Sequence, residues 1–291
     1  MTVFAELKDE VYENLLGYTR SQEQTTHSLQ PINETDLTFT VADASQISRG
    51  VIEIGDEMIY VERKDSVQNT VTVPPYGRGY LATAAAVHNI GDRIINNPRT
   101  PRHIIGQAIN QTIRSVYPDL YAVKTTLFPY VAARLHYVLP SDADTLLFAE
   151  WQPPGPSLVW MPLRFWRQST TAKSVDVEIG DSIMPGRPVR LTYGARPCEL
   201  DDISVDFCDT GLDDNCRDVV VYGACSRLIG FAESSRLQSE SIESQTQAQL
   251  IPPGSTLNAG RYFFQLFKQR LAEEQRRLQL RHRVAVHRVQ F

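Results

Sequence analysis

Four segments of this 291-residue chain place apolar residues at three- and four-residue spacing, and the two long blocks between them place them at every second position. That switching of period limits the fold more than any other feature. A period near 3.6 makes one stripe on a helix, and a period of 2 makes one face on a strand. The first helical segment spans residues 3–17, with Phe4, Leu7, Val11 and Leu15 on one side and Glu6, Lys8, Asp9 and Glu13 between them. The second begins at Thr100, a capping residue, and Pro101, whose missing N–H costs nothing in a first turn. Its stripe is Ile104, Ile105, Ala108, Ile109, Ile113 and Val116, and Pro118 closes it. The third runs from Arg217 to about Ser244 with Val220, Ala224, Leu228, Phe231 and Leu237, and Pro252-Pro253-Gly254 breaks it. The last is capped by Ser255 or Asn258 and carries Tyr262, Phe263, Leu266, Phe267, Leu271 and Leu278.

The blocks between read as strands. Leu37 to Val41 alternates, and Val51–Ile54 and Glu57–Val61 flank Gly55-Asp56, a pair suited to a two-residue hairpin turn. Asn69 to Val73 adds another strand. From 121 to 195, short runs broken by Pro and Gly give a sandwich-like pattern. No helix can bury its stripe alone, so the four are expected to pack together. The predicted fold is α+β: a four-helix bundle core from 1–35, 97–120 and 217–283, a small β insertion at 36–96, a β-sandwich-like domain at 121–216, and a tail at 284–291.

Charge divides unevenly along the chain. From Lys268 to Phe291 seven Lys or Arg stand against two acids, a net +5, which leaves −10 on the rest of a chain whose total is −5. An acidic body with a basic end suggests that the end docks on something negative. With 42% hydrophobic residues the chain can bury a core, yet no apolar run reaches the roughly 18 residues of a membrane helix. The first ten residues lack the cationic start and apolar stretch of a signal peptide, so folding in a cytoplasm is expected.

Catalytic and metal chemistry find no foothold. Cys198, Cys208, Cys216 and Cys225 are separated by nine, seven and eight residues, a poor spacing for zinc, and they read as reduced core residues. The six histidines form no His-x-x-x-His pair, and no Gly-x-Ser-x-Gly elbow nominates a nucleophile. The Asp201-Asp202 and Asp213-Asp214 pairs read as solvated turn residues, and Gly77-Arg78-Gly79 lacks the lysine of a phosphate loop. No enzyme activity, cofactor or metal is expected. Trp151, Trp160 and Trp166 leave open a carbohydrate-binding face, which would require coplanar exposed rings.

Several stretches resemble structural proteins of tailed bacteriophages. Asn69-Thr70-Val71-Thr72-Val73, Gly77-Arg78-Gly79, Ala82-Thr83-Ala84-Ala85-Ala86-Val87-His88 and Gly91-Asp92 follow a segment recurring there, although Leu81-Ala82 stands where glycine more often precedes the threonine. Asn97 to Arg102 with Ile113 to Tyr121, and Asp218 to Leu228, look like helices of actinobacteriophage-type head–tail adaptors. The resemblance implies a homo-oligomeric ring, usually of twelve copies, at the neck of the virion. DNA would pass through it without sequence-specific binding, with the portal protein on one side and a neck or tail protein on the other. It assigns the tail, with Arg281, Arg283, Val284, Val286, Arg288, Val289 and Phe291, to the portal, and Tyr262, Phe263, Leu266 and Arg270 to the bundle and oligomer contact. Another neck or minor tail protein, such as a stopper, is the nearest alternative.

Overall fold

The computed structural model describes residues 2–16, 23–134, 136–155, 159–170, 174–238 and 255–282. Among the described residues four α-helices are α1 (Phe4–Leu16), α2 (Arg102–Ser115), α3 (Arg217–Gln238) and α4 (Ser255–Arg281), close to the segments their stripes predict. The chain divides into two compact units. The first takes residues 8–109 and 224–260, and the second takes 1–7, 110–223 and 261–291.

The first unit holds two antiparallel sheets. One has the order β1 (Thr25–His27), β7 (Arg93–Asn96), β3 (Gly50–Ile54), β4 (Glu57–Val61), and the other β2 (Thr38–Thr40), β6 (Thr70–Thr72), β5 (Arg63–Asp65). The β3–β4 hairpin pairs Gly50 with Val61 through to Ile54 with Glu57. It turns through Gly55, whose φ of 60° a residue with a side chain adopts only at a cost. One aliphatic cluster, including Ile52, Ile54, Ile59, Val61, Val71 and Ile94, draws on both sheets.

The second unit has its own pair of sheets. The larger runs β11 (Met161–Pro162), β10 (Ala143–Trp151), β14 (Pro188–Ala195), β8 (Ala122–Pro129); the smaller runs β12 (Trp166–Thr170), β13 (Val175–Ile179), β9 (His136–Val138). Burial alternates along β13, with Val175, Val177 and Ile179 inside, as a strand with one covered face requires. These residues share a core with Leu146, Val189 and Leu191, drawn from the larger sheet. The segment before α1 joins the same unit: Val3 bridges Asp206, Phe4 N–H donates to Val205 O at 2.9 Å, and Phe207 N–H donates to Thr2 O at 2.9 Å.

A four-helix bundle is therefore not the core, contrary to the expectation from the stripes. The class is α+β, but among the described residues four antiparallel sheets of three or four strands dominate it. The stripe argument assumed that helices had only one another to bury against. Each pair of sheets instead supplies a hydrophobic cluster of its own, while Leu7, Val11, Ile105, Ile109, Ile113 and Val220 show that the stripes of α1, α2 and α3 are buried as well.

Candidate functional site

α4 leaves several of its apolar side chains uncovered. Among its described side chains only Glu274 is buried, while Tyr262 is 59% exposed, Phe264 45% and Leu280 70%. Phe263, Leu266, Phe267, Leu271 and Leu278 are half-buried. An ordinary surface helix hides its apolar stripe and shows its charges. Here the buried position is a carboxylate held by arginines: Arg277 reaches Glu274 at 2.7 Å and Arg270 at 3.5 Å, with Asp218 3.2 Å from Arg270 on the other side. The rings of α4 pair along the helix, with centroids 5.8 Å apart for Tyr262–Phe263 and 6.2 Å for Phe264–Phe267, Phe263 also lies 6.3 Å from Tyr222 of α3, and Lys268 lies over Phe264 at 4.7 Å. Gly223 of α3 lets α2 and α4 come close. A Cβ there would meet the Thr112 methyl at 2.4 Å and Phe267 at 3.0 Å.

Of the residues assigned to self-assembly, Tyr262 is exposed and Phe263, Leu266 and Arg270 are half-buried on the same helix. Arg281, from the expected docking tail, is exposed and pairs with Asp213 at 2.8 Å. Arg283, Val284, Val286, Arg288, Val289 and Phe291 lie outside the described residues.

Beside the C-terminal end of α4 lies a cavity of about 320 Å³, which no sequence motif announces. Tyr121 and Val123 at the start of β8, Leu212, Glu274, Leu278 and His282 are among its walls. Its chemistry is quiet. Burial pushes the Cys216 thiol up to about 12, away from the reactive thiolate. Burial and then Arg281 hold the imidazole of His282 below its ordinary value. The arginines on the rim are already paired with Glu274 and Asp213.

The Gly77-Arg78-Gly79 motif has a structural task. Glu57, wholly buried, accepts five hydrogen bonds: Arg78 Nε at 2.8 Å and Nη2 at 2.9 Å, His88 Nε2 at 2.7 Å, and the N–H groups of Gly79 at 2.9 Å and Ala86 at 3.0 Å. Burial alone would raise its pKa, but these donors outweigh it and draw the carboxyl down to about 2. Gly79 has φ 59°, and a Cβ there would sit 2.9 Å from Thr83 O. The cavity a phosphate would need is filled by the protein's own glutamate.

The other candidates also have local roles. Asp202 accepts from Ser204 N–H at 2.9 Å, as turn residues do, and Asp213 pairs with Arg281 at 2.8 Å. All four cysteines are free, with Cys216 and Cys225 buried and Cys198 and Cys208 exposed. Trp151 and Trp166 pack against the core of the second unit, and Trp160 lies under Arg190, 4.4 Å from its guanidinium. Three coplanar exposed rings are not what these positions offer. Among the described residues no group of three His, Cys, Asp or Glu side chains is placed to hold a metal, and no helix is long and apolar enough to cross a membrane. No family model matches the chain, and no curated protein does either.

Proposed function

We propose that the chain is a structural subunit that assembles with copies of itself into a ring, in the manner of the head–tail adaptor of a tailed phage. The ring would sit between the portal and the neck and let DNA pass. The observation that carries this reading is α4, where Tyr262, Phe264 and Leu280 stand open to water over one 27-residue helix. An isolated subunit gains nothing from that exposure, whereas a neighbour covering it removes apolar area from water at about 25 cal/mol per Å². Repetition of a modest contact around a closed ring makes the whole tighter than any one contact. The acidic body agrees with a channel through which DNA slides, since a basic lining would hold phosphates. The number of copies, twelve, and the assignment of residues 281–291 to the portal come from the resemblance.

The packing of Trp151 and Trp166 favours this reading over carbohydrate binding. Light scattering on the purified protein, alone and with portal rings, tests it. The expected result is a multimer that co-sediments with portal, and a variant lacking Arg281 to Phe291 that stays folded but no longer co-sediments. A strictly monomeric protein, or undiminished co-sedimentation of the shortened chain, would overturn it.

A further inference from the structure

The side of α4 turned away from Glu274 is cationic. At about 100° per residue, Arg261, Gln265, Lys268, Ala272, Arg276 and Gln279 fall on that side, all of them exposed, and no acid shares it. The ion pairs of the helix use Arg270, Arg277 and Arg281 instead. Among the described residues Arg261, Lys268 and Arg276 meet no carboxylate, and Lys268 rests on the ring of Phe264. Tyr262 and Leu280 flank this row on one side and Phe264 on the other, all open to water. Such a face fits a partner that is acidic and partly apolar. Two copies of α4 do not offer that to each other. Laid antiparallel about Lys268, they set Arg261 against Arg276 at both ends, like charge against like.

The same unit carries the complement. From Glu199 to Asp218 eight acids stand with one base, Arg217, a net charge of −7. Glu199, Asp213 and Asp218 are engaged by Arg114, Arg281 and Arg270 of their own chain. Asp201, Asp209 and Asp214 are exposed and, among the described residues, meet no cation. Ile203, between the first two of them, is 55% exposed and adds apolar surface. The segment is pinned along its length. Ala5 N–H donates to Ile203 O at 3.1 Å, Leu200 N–H to Asn110 Oδ1 at 3.0 Å, and Cys198 N–H to Thr210 O at 3.0 Å. A surface fixed beforehand loses little freedom when a partner arrives.

We propose that the cationic row of α4 in one copy docks on the Glu199–Asp218 segment of the next, Arg261, Lys268 and Arg276 meeting Asp201, Asp209 and Asp214. The contact joins two different surfaces of one chain, so every copy offers one of each. Head-to-tail contacts of this kind generate a ring when the rotation between copies closes, whereas a contact of α4 with itself would stop at two. The proposal rests on the ring reading and adds to it which surfaces meet and the sign of each.

Charge reversal on the full chain, read by light scattering, tests it. One variant carries Arg261→Glu, Lys268→Glu and Arg276→Glu, and the other Asp201→Lys, Asp209→Lys and Asp214→Lys. Each alone should give single subunits with unchanged circular dichroism. An equimolar mixture should assemble again, because each reversed surface then meets its opposite on the other variant. On the wild type, which needs no variant to fold, raising the salt from about 0.05 M to about 0.5 M should weaken association at least about tenfold. A wild type that assembles while the aspartate variant also assembles alone, or whose assembly ignores salt, would overturn this contact and leave the ring standing. So would a mixture that stays dispersed. A wild type of single subunits at every concentration would overturn the ring and the contact together.

Discussion

The Glu57 cluster of the first unit and the stretch of α4 from residue 261 on, in the second, are opposites in how they treat charge and oil. At Glu57 five donors from one loop converge on one buried carboxylate. On α4 a carboxylate again sits inside, at Glu274, but Tyr262 and Phe264, further toward the start of the helix, remain exposed. The conspicuous motif, Gly-Arg-Gly followed by His, is spent on holding a loop. The unremarkable run of aromatics is what remains available to a partner. A recognisable pattern in a sequence marks where the backbone is constrained, which need not be where the molecule acts.

Three changes bear on that contrast. Glu57→Ala should be the most severe, because it strands the buried Arg78 and His88. A loss of about 3–5 kcal/mol in urea unfolding is expected, as when one partner of a buried pair is removed. The same carboxyl has a folded pKa near 2 against 4.5 unfolded, so its stabilisation is present above pH 4.5 and fades as the pH falls toward 2. A wild type no less stable at pH 2.5 than at pH 6 would break the contrast. The second change sits four residues away. Glu53, 2% exposed, accepts one bond from Arg102 N–H at 3.0 Å, and burial pushes its pKa up to about 7. Because that value lies above the unfolded one, wild-type stability should fall as pH rises from 4.5 through 7. Glu53→Gln should remove that fall and stabilise the protein by about 1–2 kcal/mol at pH 8, with little change at pH 4. The third is the gentlest on folding. Tyr262→Glu with Phe264→Glu on α4 should cost less than about 0.5 kcal/mol each, as exposed substitutions do, while light scattering shows the multimer reduced to single subunits. Unfolding of that double variant would mean the rings serve the fold, and the comparison with Glu57 would collapse.

Local signals were readable along the chain because their causes are local. The stripe of residues 3–17 appears as Phe4–Leu16, Pro101 stands immediately before α2, and Gly55-Asp56 turns the β3–β4 hairpin. What the pattern hid was which strand pairs with which. Thr25–His27 is polar and reads as loop, yet it pairs with β7, with Thr25 opposite Ile95. Nothing in three polar residues encodes a partner some 70 positions away. The same blindness produced the bundle expectation: the apolar stripes were correct, but sheet cores built from distant strands leave no periodicity that reveals their extent. For the candidate site, Tyr262, Phe263 and Leu266 are visible as a stripe, whereas the exposure of Tyr262 and the cavity near His282 depend on packing alone.

The bonds that tie Thr2, Val3 and Phe4 to Val205, Asp206 and Phe207 carry a consequence for biosynthesis. A ribosome must release about two hundred residues before those partners exist, and contacts closed over such a span are slow to form. Thr2, Val3 and Phe4 must therefore wait for those later residues to be made before they can settle. A nascent chain arrested anywhere before Val205 should keep them open to a protease, and one arrested well beyond Phe207 should not.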